Sequence, residues 1–154
     1  KLTFRVSQKS EDFVRFIALG IRQLKGNAWV YKEGKQRSVY VVEFSKSFLG
    51  KVDITSREDK IDYIRGYFDT EGGIAKSSKV RFYLYFAQKN RGDLEQVREY
   101  LQELNIACGK IHNPSIAADP DYWRFYIRAK SYKDFALIVG SWHPEKLRYL
   151  RKKR

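Results

Sequence analysis

Residues 56–73 read SREDKIDYIRGYFDTEGG, from Ser56 to Gly73, and this stretch decides the fold. Ser56 followed three residues later by Asp59 is a helix-start signature, because the hydroxyl and the carboxylate can each satisfy an unpaired backbone N–H. Ile61, Ile64, Tyr67 and Phe68 recur at three- and four-residue spacing and give the helix one apolar face; Gly72 and Gly73 end it. Asp69 and Glu71 fall in the last turn, where the helix dipole is negative and an acid is disfavoured by up to about 1 kcal/mol. A positive group is therefore expected beside that end. Gly66 costs about 1 kcal/mol relative to Ala inside a helix and is most useful where another backbone comes close. Gly66 and Thr70, four apart, form a small-residue edge suited to packing a second helix. An ordinary core helix with two solvated acids is the other reading of this stretch taken alone.

Working outward, the 154 residues are 43% hydrophobic and 16% aromatic, enough for a real core in one domain or two small ones. No apolar run approaches the roughly 20 residues that span a bilayer, and no signal-type start is present. These features predict a soluble, intracellular protein, cytoplasmic or organellar and not secreted, with no membrane partner. The single cysteine, Cys108, excludes an internal disulfide and reads as a small buried hydrophobe. Lys and Arg number 31 against 18 Asp and Glu, net +13, which points to a polyanionic partner, nucleic acid first. A string that begins at Lys1 and holds no methionine is expected not to be a whole translation product.

Residues 2–9 alternate apolar and polar and predict a strand with Leu2, Phe4 and Val6 toward a core. Ser10 caps a helix carrying Phe13, Phe16, Ile17, Gly20, Ile21 and Leu24 on one face and stopped by Gly26. Residues 28–44 read as a hairpin turning at Glu33-Gly34-Lys35, followed by a short helix over 46–52. After the central helix come a strand over 81–89, a helix opened by Asp93 and Gln96 and closed by Asn105, and strands near 107–112 and 122–129. A helix opened by Ser131 with Asp134 and one opened by Pro144 complete the chain. LTFRVSQKS at 2–10 matches FYLYFAQKN at 82–90 with an offset of 80, each followed by the same order of elements, so the chain reads as a duplication.

Ile64-Arg65-Gly66-Tyr67-Phe68-Asp69-Thr70-Glu71-Gly72 resembles the LAGLIDADG motif of homing endonucleases, with Gly66, Asp69, Glu71 and Gly72 at the motif's glycine and acid positions. The order helix, two strands, helix, two strands, helix is that family's unit, so the resemblance extends over essentially the whole chain. It implies an α+β class: a duplicated homing-endonuclease fold, an antiparallel β-sheet saddle backed by helices, with the motif helix at a pseudo-dyad. Residues 1–54 would be a first half lacking its motif helix and first strand, and 55–154 a complete second half.

The resemblance further implies a site-specific endonuclease, intron-encoded or from an intein, that makes a double-strand break in DNA with Mg²⁺ or another divalent cation. Glu71 and the carbonyl of Gly72 would be metal ligands. Gln8, Lys9, Gln88 and Lys89, ending equivalent strands in both copies, would sit beside the scissile phosphates; a polar strand end is the plain alternative for each pair. Lys146 would add another basic group. Asp69 reads as helix-end structure. One motif acid is present where two are needed, so the other comes from a missing N-terminal segment, from a second chain, or from nowhere.

Sequence reading falls to the strand faces turned from the helices, where side chains can meet base edges in the major groove. Alternation nominates Thr3, Arg5, Ser7, Trp29, Tyr31, Ser38 and Tyr40 in the first half, and Arg81, Tyr83, Tyr85, Lys110, His112, Arg124, Tyr126 and Arg128 in the second. For the tyrosines a half-buried sheet surface is the competing reading. His112 has no companion at ligand spacing. The six basic residues of the last eleven read as phosphate contacts or a solvated tail. A noncatalytic nucleic-acid binder, such as an intron-splicing maturase with RNA as partner, is the alternative function.

Overall fold

The computed structural model describes residues 2–50, 53–77 and 79–153. It divides into two compact units, Lys1–Asp53 and Ile54–Arg154. Both are α+β with antiparallel sheets.

In the first unit, strand β1 (Thr3–Gln8), helix α1 (Glu11–Gln23), β2 (Ala28–Lys32) and β3 (Tyr40–Ser45) form a three-stranded sheet in the order β1-β3-β2. The register sets Val6 and Val30 on either side of Val42, and Phe4 and Ala28 on either side of Phe44. Val14, Ala18 and Ile21 of α1 bury this face. The Ser10 hydroxyl accepts from the Phe13 N–H (3.2 Å), which starts α1 as the sequence predicts. Its end differs: Lys25, not Gly26, takes the left-handed conformation (φ 65°). Gly26 is required for packing instead, since a Cβ there would lie 2.5 Å from the Phe48 ring.

Further differences follow from edges. β3 begins only at Tyr40, and the helix expected over 46–52 is a 3-10 turn at Lys46–Phe48, with Lys51 and Val52 outside the described residues. Leu2 and Phe4, expected in the core, are 87% and 41% exposed. Their alternation is right, but β1 is an edge strand: α1 and Phe48 of the 3-10 turn bury Phe44 and Ala28 in the same row and leave Phe4 part-exposed at the margin.

In the second unit, helix α2 (Arg57–Glu71) is opened by a reciprocal capping box: the Asp59 N–H bonds the Ser56 hydroxyl (3.0 Å) and the Ser56 N–H bonds the Asp59 carboxylate (2.9 Å). That carboxyl is held below its usual pKa by those bonds. α2 passes directly into β4 (Gly72–Ile74), which pairs with β5 (Leu84–Gln88), which pairs with β6 (Trp123–Tyr126). Helix α3 (Arg91–Glu103) follows β5; α4 (Tyr132–Ile138) and α5 (Pro144–Leu150) close the unit. Phe68 of α2, Phe86 of β5 and Phe135 of α4 meet at 4.9–6.1 Å, and Phe86 stacks on Phe125 at 5.1 Å. Ile61, Ile64, Leu84, Leu94, Val97, Leu101 and Leu150 complete a core larger than that of the first unit.

β5 is shorter than the predicted 81–89, and α3 starts at Arg91, two residues before Asp93, because the Asn90 side chain caps the Gly92 N–H. The strand expected over 107–112 is reduced to two bridges, Cys108 with Ile127 and His112 with Arg124. Ser131 stands at the head of α4, but its hydroxyl accepts from the Ala107 N–H (2.9 Å) and caps nothing. Cys108 is half-buried, which pushes its thiol up to about 11. Among the described residues no helix is long and apolar enough to cross a membrane.

Candidate nucleic-acid interface and carboxylate site

The C-terminal end of α2 is closed by a lysine brought in from α5. The Lys146 ammonium donates to the carbonyls of Phe68 (2.5 Å), Asp69 (3.0 Å) and Gly72 (2.7 Å) and lies 4.9 Å from the Phe68 ring centre. This is the positive group that two acids at a negative helix end require. An ammonium has three N–H donors. All three are engaged, so Lys146 serves the helix end and holds no donor for a phosphate. Burial pushes its pKa down to about 8, against the nearby carboxylate of Asp69.

Asp69 is buried and accepts from the Ser141 hydroxyl and the Trp142 N–H (2.8 Å), tying α2 to the segment before α5. Burial raises its pKa, opposed by those bonds. Glu71 is different. It is exposed, as is Thr70, while Gly66 is half-buried. Within its own unit a Cβ at Gly66 would meet nothing within 4 Å, and the Thr70 hydroxyl turns back to the carbonyls of Gly66 and Tyr67 (3.2 Å each). Gly72 is fixed by close approach, since a Cβ would fall 2.2 Å from the Phe68 ring.

Gln88 ends β5 on the helix-facing side, opposite Trp123, and accepts from the Lys89 N–H (2.7 Å). Lys89 reaches Asp119 at 3.6 Å on the surface, a pair of little energetic weight. Beside them the Tyr67 hydroxyl is buried with no hydrogen bond of ordinary geometry, and burial, then the charges of Asp93 and Glu71, raises its pKa. Tyr67 stands one turn before Glu71, a spacing visible in the sequence, yet it read only as core. Gln8 ends β1 in the first unit, opposite Tyr40, and Lys9 follows the strand.

A divalent cation is tested by these donors. Among the described residues no three His, Cys, Asp or Glu side chains come together as a metal cluster. The Gly72 carbonyl already accepts from an ammonium, so it is a poor cation ligand. Glu71 fits: Mg²⁺ is held by one or two carboxylates with waters and substrate phosphates completing its shell.

On the first sheet, Thr3, Arg5, Ser7, Trp29 and Tyr31 lie on the face opposite α1, as predicted. Tyr40 does not: its register with Gln8 and Lys32 places it on the α1 side, packed against the core. Ser38 lies in the loop before β3. The contiguous apolar run around Tyr40 hid the phase of alternation. Glu43, not foreseen, is the hub of the outer face. It accepts from the Thr3 hydroxyl (2.6 Å) and the Tyr31 hydroxyl (2.8 Å) and lies 3.9 Å from Arg5, which also pairs with Glu33 at 3.3 Å.

The outer face of the second sheet is a plate of rings. Tyr83, Tyr85 and Tyr126 lie 5.7–6.1 Å apart, and His112 stacks on Tyr126 at 5.9 Å. Arg124 sits among them, donating to the hydroxyls of Tyr126 (2.8 Å) and Tyr122 (2.9 Å), with its guanidinium carbon 5.0 Å from the Tyr85 ring centre. Lys110, His112 and Arg128 line a shallow concavity beside Tyr126. Arg81 is exposed ahead of β5, outside the strand. Tyr122 was missed, although it shares the parity of Arg124 and Tyr126.

No curated protein compared with the chain matches it. Among solved structures, the homing endonuclease I-DmoI in complex with DNA and Ca is similar at a TM-score of 0.71 and 19% identity, covering 97% of this chain and 83% of that one. Mesophilic variants of I-DmoI give 0.69 and 22%, covering 90% and 79%. Full-length DUF199/WhiA from Thermatoga maritima gives 0.70 and 18%, covering 99% and 53%. At these identities the likeness is one of fold. A family model described as a LAGLIDADG-like domain matches residues 58–140, more than half of the chain and including all of α2's motif. With that match joined to the motif helix and the antiparallel sheet built on it, the chain belongs to the LAGLIDADG-like domain family.

Proposed function

We propose that this chain is the DNA-binding and catalytic body of a homing endonuclease that cuts duplex DNA at a long site with a divalent cation. The observation that carries the reading is the contrast at the end of α2: Asp69 and Lys146 are engaged in structure, while Glu71 is left as an exposed carboxylate on a braced helix end. I-DmoI, similar in fold, forms a complex with DNA and Mn, and a variant of it one with its target DNA in the presence of Mg. The net charge of +13 supports a polyanionic partner.

In this reading Glu71 holds the cation. A bound divalent cation supplies charge stabilisation to the reacting phosphate and lowers the pKa of its water. Gln88 orients a water and Lys89 offsets phosphate charge; Gln8 and Lys9 do the same for the first unit. Residues 1–54 and 55–154 are two copies of one unit. The duplication is supported by caps at Ser10 and Asn90 and left-handed residues at Lys25 and Asn105, each pair 80 apart. Cutting of the second strand requires another carboxylate, from a second copy or a separate segment.

The test is a plasmid library carrying randomised inserts, incubated with the chain and Mg²⁺, with newly made ends captured and sequenced. The proposal expects ends at one recurrent sequence, lost in EDTA and in Glu71→Gln. Duplexes that are bound but never cut would contradict it. They would favour noncatalytic nucleic-acid binding, a reading favoured by Glu71 being the one exposed carboxylate in the last turn of α2.

A further inference from the structure

Arg124 stands on β6, on the outer face of the second sheet, and its surroundings are built for a fixed guanidinium. Tyr122 and Tyr126 precede and follow it by two residues and so flank it on the same face. Directly opposite in β5 stands the small Ala87, and on the other side is His112. Tyr85 is held flat over Gly73, where a Cβ would come within 2.1 Å of its ring. A guanidinium has five N–H donors. One goes to Tyr126, one to Tyr122, and the Nε–H is buried without a partner. Two donors remain, one on each terminal nitrogen.

We propose that Arg124 reads a guanine in the duplex target, and that Tyr122 and Tyr126 position it for that contact. The inference rests on the DNA-binding reading above. Guanine alone presents two acceptors, O6 and N7, at the major-groove edge of its base; adenine offers one acceptor beside an amino donor, thymine one acceptor, cytosine a donor. Two remaining N–H groups on one rigid plane match guanine and no other base. Because the tyrosines order the side chain before DNA arrives, its rotamer freedom is not lost on binding. Arg5 of the first sheet is no equivalent, since Glu33 and Glu43 already hold its charge.

The experiment is selection from a pool of duplexes with randomised base pairs, in EDTA so that binding is read without cutting. Wild type is compared with Arg124→Lys and with the double variant Tyr122→Phe, Tyr126→Phe, alongside a thermal melt of each. Wild type is expected to enrich a motif with one invariant guanine. Arg124→Lys keeps the charge but loses the paired donors, and should weaken the preference at that column about ten- to a hundredfold while the other columns persist. The tyrosine variant should relax the same column less, with a folded protein. An unchanged guanine column in Arg124→Lys overturns the inference alone. Fading of all columns in step with lost folding also overturns it, assigning Arg124 to bracing the sheet. A wild type that enriches nothing overturns the DNA-binding reading and this inference together.

Discussion

Strands β1 and β5 carry the same alternation 80 residues apart, yet they end in different surroundings. Leu84 and Phe86 of β5 are 0% exposed, while Phe4, at the position matching Leu84, is 41% exposed. The helices that follow them match in start, end and C-terminal backbone hydrogen bonds, although Ser10 caps the N–H three residues on and Asn90 the one two residues on. What differs is α2, which lays Ile64 and Phe68 over β5; no counterpart lies over β1 among the described residues of the first unit. Alternation decides which face of a strand is apolar. Whether that face is buried depends on a second element.

Truncation of the matched positions should separate the two strands most. Leu84→Ala should cost about 2–5 kcal/mol of stability by leaving a cavity, and Phe4→Ala no more than about 1 kcal/mol, read by denaturant unfolding. Equal losses would mean that β1 is covered as β5 is.

The helix end comes next. Asp69→Ala leaves the Ser141 hydroxyl and the Trp142 N–H without their acceptor, a loss of about 2–3 kcal/mol. Lys146→Met frees three carbonyls and should cost about 1–3 kcal/mol at neutral pH.

Lys146 also carries a pH signature. Its pKa falls from 10.5 to about 8 on folding, so between those values the unfolded chain binds more protons than the folded one. Stability contributed through this group therefore rises with pH across that window. Melting temperatures of wild type relative to Lys146→Met should climb from pH 8 to 10; a flat difference would place the ammonium in solvent.

The smallest effect is expected on the first sheet. Glu43→Gln releases Arg5, Thr3 and Tyr31 from their shared carboxylate and removes a negative charge from the outer face. Duplex affinity at low salt should rise about tenfold or less, with a steeper salt dependence. An unchanged affinity would take that face out of the interface.

How far these features were legible follows from how local they are. The capping box of Ser56 and Asp59, the apolar stripe of α2 and its end at Gly72 are written within 18 residues, and all are found. The demand for a positive group at that end was also legible. Its full engagement by the carbonyls of Phe68, Asp69 and Gly72 was not, because Lys146 arrives from more than 70 residues away. The side of Tyr40 was lost in a run where every neighbour is apolar, and Glu43 was overlooked because an acid is not sought on a basic face. Tyr122, by contrast, was readable from parity with Arg124.

In the proposed function Glu71 is the carboxylate that does the chemistry while its neighbours hold the helix. The most direct test is the single-turnover cleavage, with Mg²⁺, of a duplex enriched by the protein, comparing wild type with Glu71→Gln and monitoring both strands and the melting temperature. Cutting by wild type, none above background in the variant, and an unchanged melting temperature are expected. Cutting by Glu71→Gln at the wild-type rate would contradict that role.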